Sequence, residues 1–107
     1  MNTEMVKITV YINESDRWQQ RPLHLEVLQM LYSNNLSGGT VLHAVAGFTS
    51  KGAVEITEAP PLVDAKSKLP LVIEFVDTAQ KIENILPELK RMVGNRLILR
   101  EQVEVLN

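Results

Sequence analysis

A chain of 107 residues, 45% hydrophobic and 22% charged, has an ordinary globular composition and enough length for a core without metal or disulfide staples. It holds no cysteine, which excludes disulfides, thiolate metal sites and cysteine nucleophiles, and its formal net charge of -2 offers no field to nucleic acid or an anionic membrane. The start, Met1-Asn2-Thr3-Glu4, lacks the basic and apolar stretches of a signal peptide, and no apolar run reaches membrane-spanning length, so the expectation is a soluble cytoplasmic protein.

The first predicted element is a strand over residues 6–12, with Val6, Ile8, Val10 and Ile12 on one face and Lys7, Thr9 and Tyr11 on the other. A helix should begin at Pro22, because proline suits a first turn that does not need its N–H. Leu23, Val27, Met30 and Leu31 share one side of it, and Gly38-Gly39 is the expected stop. A second strand is expected over 40–48, where Leu42, Ala44, Ala46 and Phe48 form one face. Residues 49–68 show no steady periodicity and contain Gly52, Pro60-Pro61 and charges of both signs. A third strand, 69–76, turns Leu71, Ile73 and Phe75 one way. Asp77 with Gln80 reads as a capping box for a second helix, whose buried stripe is Ile82, Ile85, Leu86, Leu89 and Val93. Pro87 removes a backbone bond inside that helix and should kink it. Gly94-Asn95 makes a turn into a last strand, 97–106.

The order β-α-β, β-α-β favours a single α+β domain of the ferredoxin-like, split βαβ type, a four-stranded antiparallel sheet with both helices on one face. Each helix returns the chain, so strands one and two run one way and strands three and four the other. The connections 13–21, 49–68 and 94–96 must then meet at one sheet edge, leaving only 34–39 and 77–78 at the other. The helix-free face should mix Tyr11, Val72 and Val76 with Lys7, Thr9 and Glu74, a half-apolar surface suited to an oligomer of cyclic symmetry.

The candidate site begins where the first strand ends. Glu14, Ser15, Asp16, Arg17, Trp18 and Arg21 place two acids, a hydroxyl, two guanidinium forks and the sole tryptophan within eight positions. Arg17 and Arg21 could grip a carboxylate or phosphate at two points, Trp18 could stack on a base, and Glu14 and Asp16 could accept from a ribose or an amine. The plainer alternative has Asp16 paired with Arg17 or Arg21, Ser15 capping a turn, and Trp18 plugging the sheet end or an interface. Gly94-Asn95-Arg96 would let backbone amides approach a ligand, although a helix C-cap also accounts for Gly94. His24 and His43 have no spacing for a metal pair, and no nucleophile motif appears, so the residues make no positive case for an enzyme.

The string Val10-Tyr11-Ile12-Asn13-Glu14-Ser15-Asp16-Arg17-Trp18, then Arg21-Pro22-Leu23, resembles the signature of a branch of bacterial and archaeal PII-like (GlnB-like) signal-transduction proteins filed as a domain of unknown function. Gly39-Thr40-Val41-Leu42, Gly47-Phe48, Leu69 through Asp77, Lys81-Ile82-Glu83 and Leu86-Pro87 extend the likeness over nearly the whole chain. The resemblance implies a PII-like domain over 1–107, assembled as a homotrimer, with a small anionic effector, an adenine nucleotide first, in the clefts between subunits. It further implies that 49–68 is a T-loop-like segment signalling to a transporter or enzyme, and that Gly94-Asn95-Arg96 stands where a phosphate-gripping loop belongs.

The chain departs from that pattern in four respects. The glycine- and lysine-rich phosphate loop is reduced to a single glycine, the basic tail is absent, and no tyrosine lies in 49–68. Gln20 stands where the branch commonly has glycine before Arg21. The leading expectation is a non-enzymatic sensor with no metal, no nucleic-acid partner and no membrane insertion. Arg17, Arg21, Arg96 and Arg100 would neutralise the effector, Trp18 would stack, and Gly47 and Gly94 would allow close backbone approach. The alternatives are a small ferredoxin-like monooxygenase and a constitutive trimer resembling the CutA proteins.

Overall fold

A computed structural model describes residues 3–49 and 69–107. The elements in chain order are β1 (Met5–Asn13), β2 (Arg17–Trp18), β3 (Arg21–Pro22), α1 (Leu23–Ser33), β4 (Thr40–His43), β5 (Pro70–Thr78), α2 (Ala79–Val93) and β6 (Ile98–Val103). The main sheet has four strands in the order β4-β5-β1-β6, and every neighbouring pair is antiparallel. This is the split βαβ arrangement that the order of elements predicts. The expected segment 49–68 lies outside the described residues apart from Thr49.

The core follows from the period of each element. Alternate residues of β1 (Val6, Ile8, Val10, Ile12) and β5 (Leu71, Ile73, Phe75) are buried on one sheet face. Leu23, Val27 and Leu31 of α1 and Ile82, Ile85, Leu89, Met92 and Val93 of α2 cover that face. Leu86 only flanks the cluster, whereas Met92 belongs to it. α2 passes through Pro87 as one assigned helix. Pro87 and Glu83, whose carbonyl loses a donor, are both on the exposed side, so water can take up that carbonyl.

Several boundaries differ from expectation for local reasons. α1 stops at Asn34, not at the glycines: the Asn34 side-chain amide donates to the Met30 carbonyl at 2.7 Å, and Asn35 takes a positive φ of 62°. Gly39 instead permits close passage, since a Cβ there would lie 3.1 Å from Leu28 and 3.2 Å from Leu31. The cap of α2 is Thr78, whose hydroxyl accepts from the Lys81 N–H, and not Asp77. The Asp77 carboxylate turns back to accept from the Ser37 N–H and hydroxyl at 2.8 and 3.0 Å and from the Thr78 N–H at 2.8 Å. Burial alone would raise its pKa; the bonds from Ser37 and Thr78, with Lys81 nearby, outweigh this and hold it below the ordinary value.

β4 is shorter than expected, and its register places Val41 and His43 opposite the buried Ile73 and Leu71. Leu42 therefore joins Val72 and Tyr11 in one row across the helix-free face. Leu42, Leu97 and Leu99 are 49%, 53% and 40% exposed there, so this face is more apolar than the sequence pattern suggested. Lys7 and Glu74, 3.6 Å apart, and Glu101 opposite Lys7 place charge on it. No helix among the described residues is long and apolar enough to cross a membrane.

Candidate functional site

The three connections do converge, and side chains tie them together. At the end of β1 the chain folds back: the Asp16 N–H donates to the Asn13 carbonyl at 3.0 Å, and the Asn13 N–H donates to the Asp16 carboxylate at 2.8 Å. The Asp16 carbonyl in turn accepts from the Leu23 N–H at 2.9 Å, serving one of the donors that the start of α1 leaves unmade. Between these anchors β2 and β3 form a two-residue ribbon, with Arg17 opposite Pro22 and Trp18 opposite Arg21. Gln19 and Gln20 make its tip with φ of 51° and 70°. The sequence carries no Asn-Gly signal for such a turn, which is why the ribbon was not anticipated.

Asp16 is 1% exposed, and its carboxylate also accepts from the Arg96 Nε at 2.8 Å. Arg96 comes from the α2–β6 turn, so this contact joins two connections 80 residues apart in sequence. The Arg96 Nη1 donates to the Val93 carbonyl at 2.9 Å, closing the end of α2. The plainer sequence expectation thus named the right acid and the wrong base: Asp16 bonds Arg96 where Arg17 or Arg21 was anticipated. Arg17 is exposed, and Arg21 lies 3.9 Å from Glu26.

Trp18 is half-buried against the core, with the Arg91 guanidinium 5.3 Å from its ring centroid. Its stacking partner within the chain is therefore α2. Glu14 reaches to 3.4 Å from His43 Nε2, while its second carboxylate oxygen and the Ser15 hydroxyl are buried with no hydrogen-bond partner among the described residues. Arg100 is not brought to this edge. It sits opposite Ile8 in mid-sheet and pairs with Glu83 of α2.

The segment 49–68 is anchored where it leaves the described residues. The Thr49 hydroxyl donates to the Asn13 side-chain oxygen at 2.9 Å, the Glu14 N–H donates to the Leu69 carbonyl at 3.1 Å, and the Ala44 N–H donates to the Pro70 carbonyl at 3.0 Å. Gly47, with φ of 145°, runs beside Pro70, whose ring would lie 3.4 Å from a Cβ there.

A cavity of about 620 Å³ opens at this edge, lined by Tyr11, Phe48, Thr49, Lys90, Leu97, Ile98 and the Gly94-Asn95-Arg96 turn. Gly94, at φ 63°, both caps α2 through its N–H to the Lys90 carbonyl and turns the chain along the cavity wall. Of the sequence-nominated residues, Gly94, Asn95 and Arg96 line this cavity directly, and Asp16 positions Arg96 from behind. Tyr11, Phe48 and Lys90 were not singled out as site residues. The two rings read as strand residues, and Lys90 carried no reading. Among the described residues, no group of three or more His, Asp or Glu side chains is placed to hold a metal ion.

Comparison with known proteins places the chain among relatives of the same build. The family model described as "DUF190: Uncharacterized ACR, COG1993" matches residues 5–105. A UPF0166 protein of Aquifex aeolicus is 30% identical over 99 residues, covering 92% of this chain and 90% of that one. UPF0166 protein MJ1524 of Methanocaldococcus jannaschii is 25% identical over 88 residues, covering 82% and 78%. Among solved structures, a protein of Thermus thermophilus (TTHA0516), described as PII-like signaling, superimposes with a TM-score of 0.62 at 13% identity, over 97% of this chain and 91% of that one. GlnK of B. subtilis gives a TM-score of 0.55 at 17% identity, over 94% and 86%.

Proposed function

We propose, from the premise that this chain belongs to the DUF190 family, that it is a non-enzymatic PII-like regulatory protein whose effector is a small anion, an adenine nucleotide in the first instance. The observation that carries the reading is the cavity at the convergent sheet edge, with Gly94-Asn95-Arg96 on its wall and Thr49, the first residue of the long segment, at its rim. A ligand there would touch both the Gly94-Asn95-Arg96 turn and the residue that tethers 49–68 to Asn13. Occupancy would thus bear on the base of the segment through which a target protein, a transporter or an enzyme, is engaged. The name of one structural neighbour, a PII-like signaling protein, points the same way.

In this reading the chain works as a homotrimer. The helix-free face, with Leu42, Leu97 and Leu99 exposed and Tyr11 and Val72 half-buried, is the surface that association would cover. Arg17, exposed on the β2–β3 ribbon, and Arg21, exposed beside Glu26, are the guanidinium groups that would meet an anion from a neighbouring subunit's side.

The test is a thermal-shift panel of adenine nucleotides, cyclic dinucleotides and bicarbonate, run beside a mass measurement of the assembly. A ligand that binds only the folded protein stabilises it by about 2.7 kcal/mol at a hundred times its Kd, a readily measured rise in melting temperature. Replacing Arg17 by alanine should diminish the rise. Absence of any shift across the panel would refute the effector site.

A further inference from the structure

The charge inventory of the cavity bears on which ligand it can hold. Among the described residues, its charged lining residues are Lys90 and Arg96. The Arg96 charge is met by the buried Asp16 carboxylate at 2.8 Å, and two of its N–H groups are engaged, one with Asp16 and one with the Val93 carbonyl. That bracket contributes no net charge to the cavity. The Lys90 side chain, exposed on the last turn of α2, makes no ion pair or hydrogen bond among the described residues and is the uncompensated cation of the described lining.

The backbone opposes further negative charge. α2 ends at Val93, so its C-terminal carbonyls lie beside the cavity. A helix C-terminus carries roughly half a negative charge and repels anions, the reverse of the N-terminal arrangement that cradles polyphosphates. Tyr11 and Phe48 meanwhile supply aromatic faces on the same lining.

We infer that the cavity selects a planar aromatic ligand bearing a single anionic group, at the charge level of a nucleoside monophosphate, with Lys90 as the residue that contacts the anion. This rests on the effector reading above and sharpens it. A triphosphate would add charges that the described lining residues of one subunit do not neutralise.

Titration of the full-length protein with adenosine, AMP, ADP and ATP, in magnesium-free buffer, holds the ring constant while charge increases. AMP is expected to bind at least as tightly as ATP and more tightly than adenosine. The Lys90→Ala variant should weaken AMP roughly tenfold, the value of one charge-assisted contact, and leave adenosine within about twofold. Lys90 is exposed, so circular dichroism should show this variant folded as the parent. Lys90→Glu should weaken AMP further, with adenosine again unmoved. Affinity rising tenfold or more from AMP to ATP would overturn the inference while leaving an effector site standing. Equal binding of AMP by parent and Lys90→Ala, or of AMP and adenosine by the parent, would overturn the role of Lys90. If none of the four binds, the adenine-nucleotide reading itself falls, and this inference with it.

Discussion

Replacing Asp16 by asparagine separates the two roles open to this residue, ligand contact and internal strut. The carboxylate accepts from the Asn13 N–H and the Arg96 Nε, both at 2.8 Å, inside a residue 1% exposed. Hydrogen bonds to a charged group are worth about 1.5–3 kcal/mol each, and breaking a buried pair by removing one partner costs about 3–5 kcal/mol. Arg96 keeps 17% of its side chain exposed and can recover some hydration, and asparagine can still accept one bond. The expected loss is therefore near the lower bound, about 3 kcal/mol, or roughly 12–20 °C in melting temperature for a domain of this size. Urea denaturation followed by the fluorescence of Trp18, the sole tryptophan, gives the free energy directly. A double-mutant cycle with Arg96→Gln should show a coupling above about 1.5 kcal/mol. A coupling below about 0.5 kcal/mol, or a denaturation midpoint unmoved by Asp16→Asn, would refute the strut and return Asp16 to the ligand-binding candidates.

Three further outcomes follow from the geometry. Gln20→Gly should stabilise the protein by about 0.5–1 kcal/mol in urea titration, because φ of 70° strains any residue with a Cβ and glycine adopts it freely; destabilisation would contradict the turn geometry. Asp77 is held below its ordinary value of 3.8, so its stabilising contribution is complete above that pH and drains away as pH falls through the lower folded value. Asp77→Asn should accordingly lower stability at neutral pH and flatten the stability profile below about pH 4, and an unchanged acid limb would show that Ser37 and Thr78 do not favour the charged form. Leu99→Asp, on the helix-free face, should convert a proposed trimer to monomer in sedimentation or mass photometry; an assembly that persists does not use that face.

How far the sequence revealed this molecule depends on the kind of contact. Period-two strands and helical stripes showed the layers, and connectivity alone placed the three interesting connections at one edge, where Asp16, Arg96 and Thr49 now meet. Both Asp16 and Arg96 were marked as chemically notable, yet nothing local shows that they bond each other across 80 positions. β4 misled because Leu42, Ala44, Ala46 and Phe48 alternate as a buried face does, whereas a sheet with two partly apolar faces gives no rule for which one is inside. Val41, not Leu42, packs on the core. The β2–β3 ribbon was invisible because glutamines occupy its left-handed positions. Lys90 acquires interest only from what stands around it, which composition does not record.

The anchoring of residues 49 and 69 has an architectural consequence. Thr49 is fastened to Asn13, and Leu69 to Glu14, the next residue along. Adjacent positions of one strand end therefore clamp both mouths of the intervening stretch, and the β4–β5 register is fixed by its own ladder. Both ends are held by bonds to the body of the domain. The domain is thus built as a socket into which a stretch of different length or chemistry can be fitted without redesigning the core.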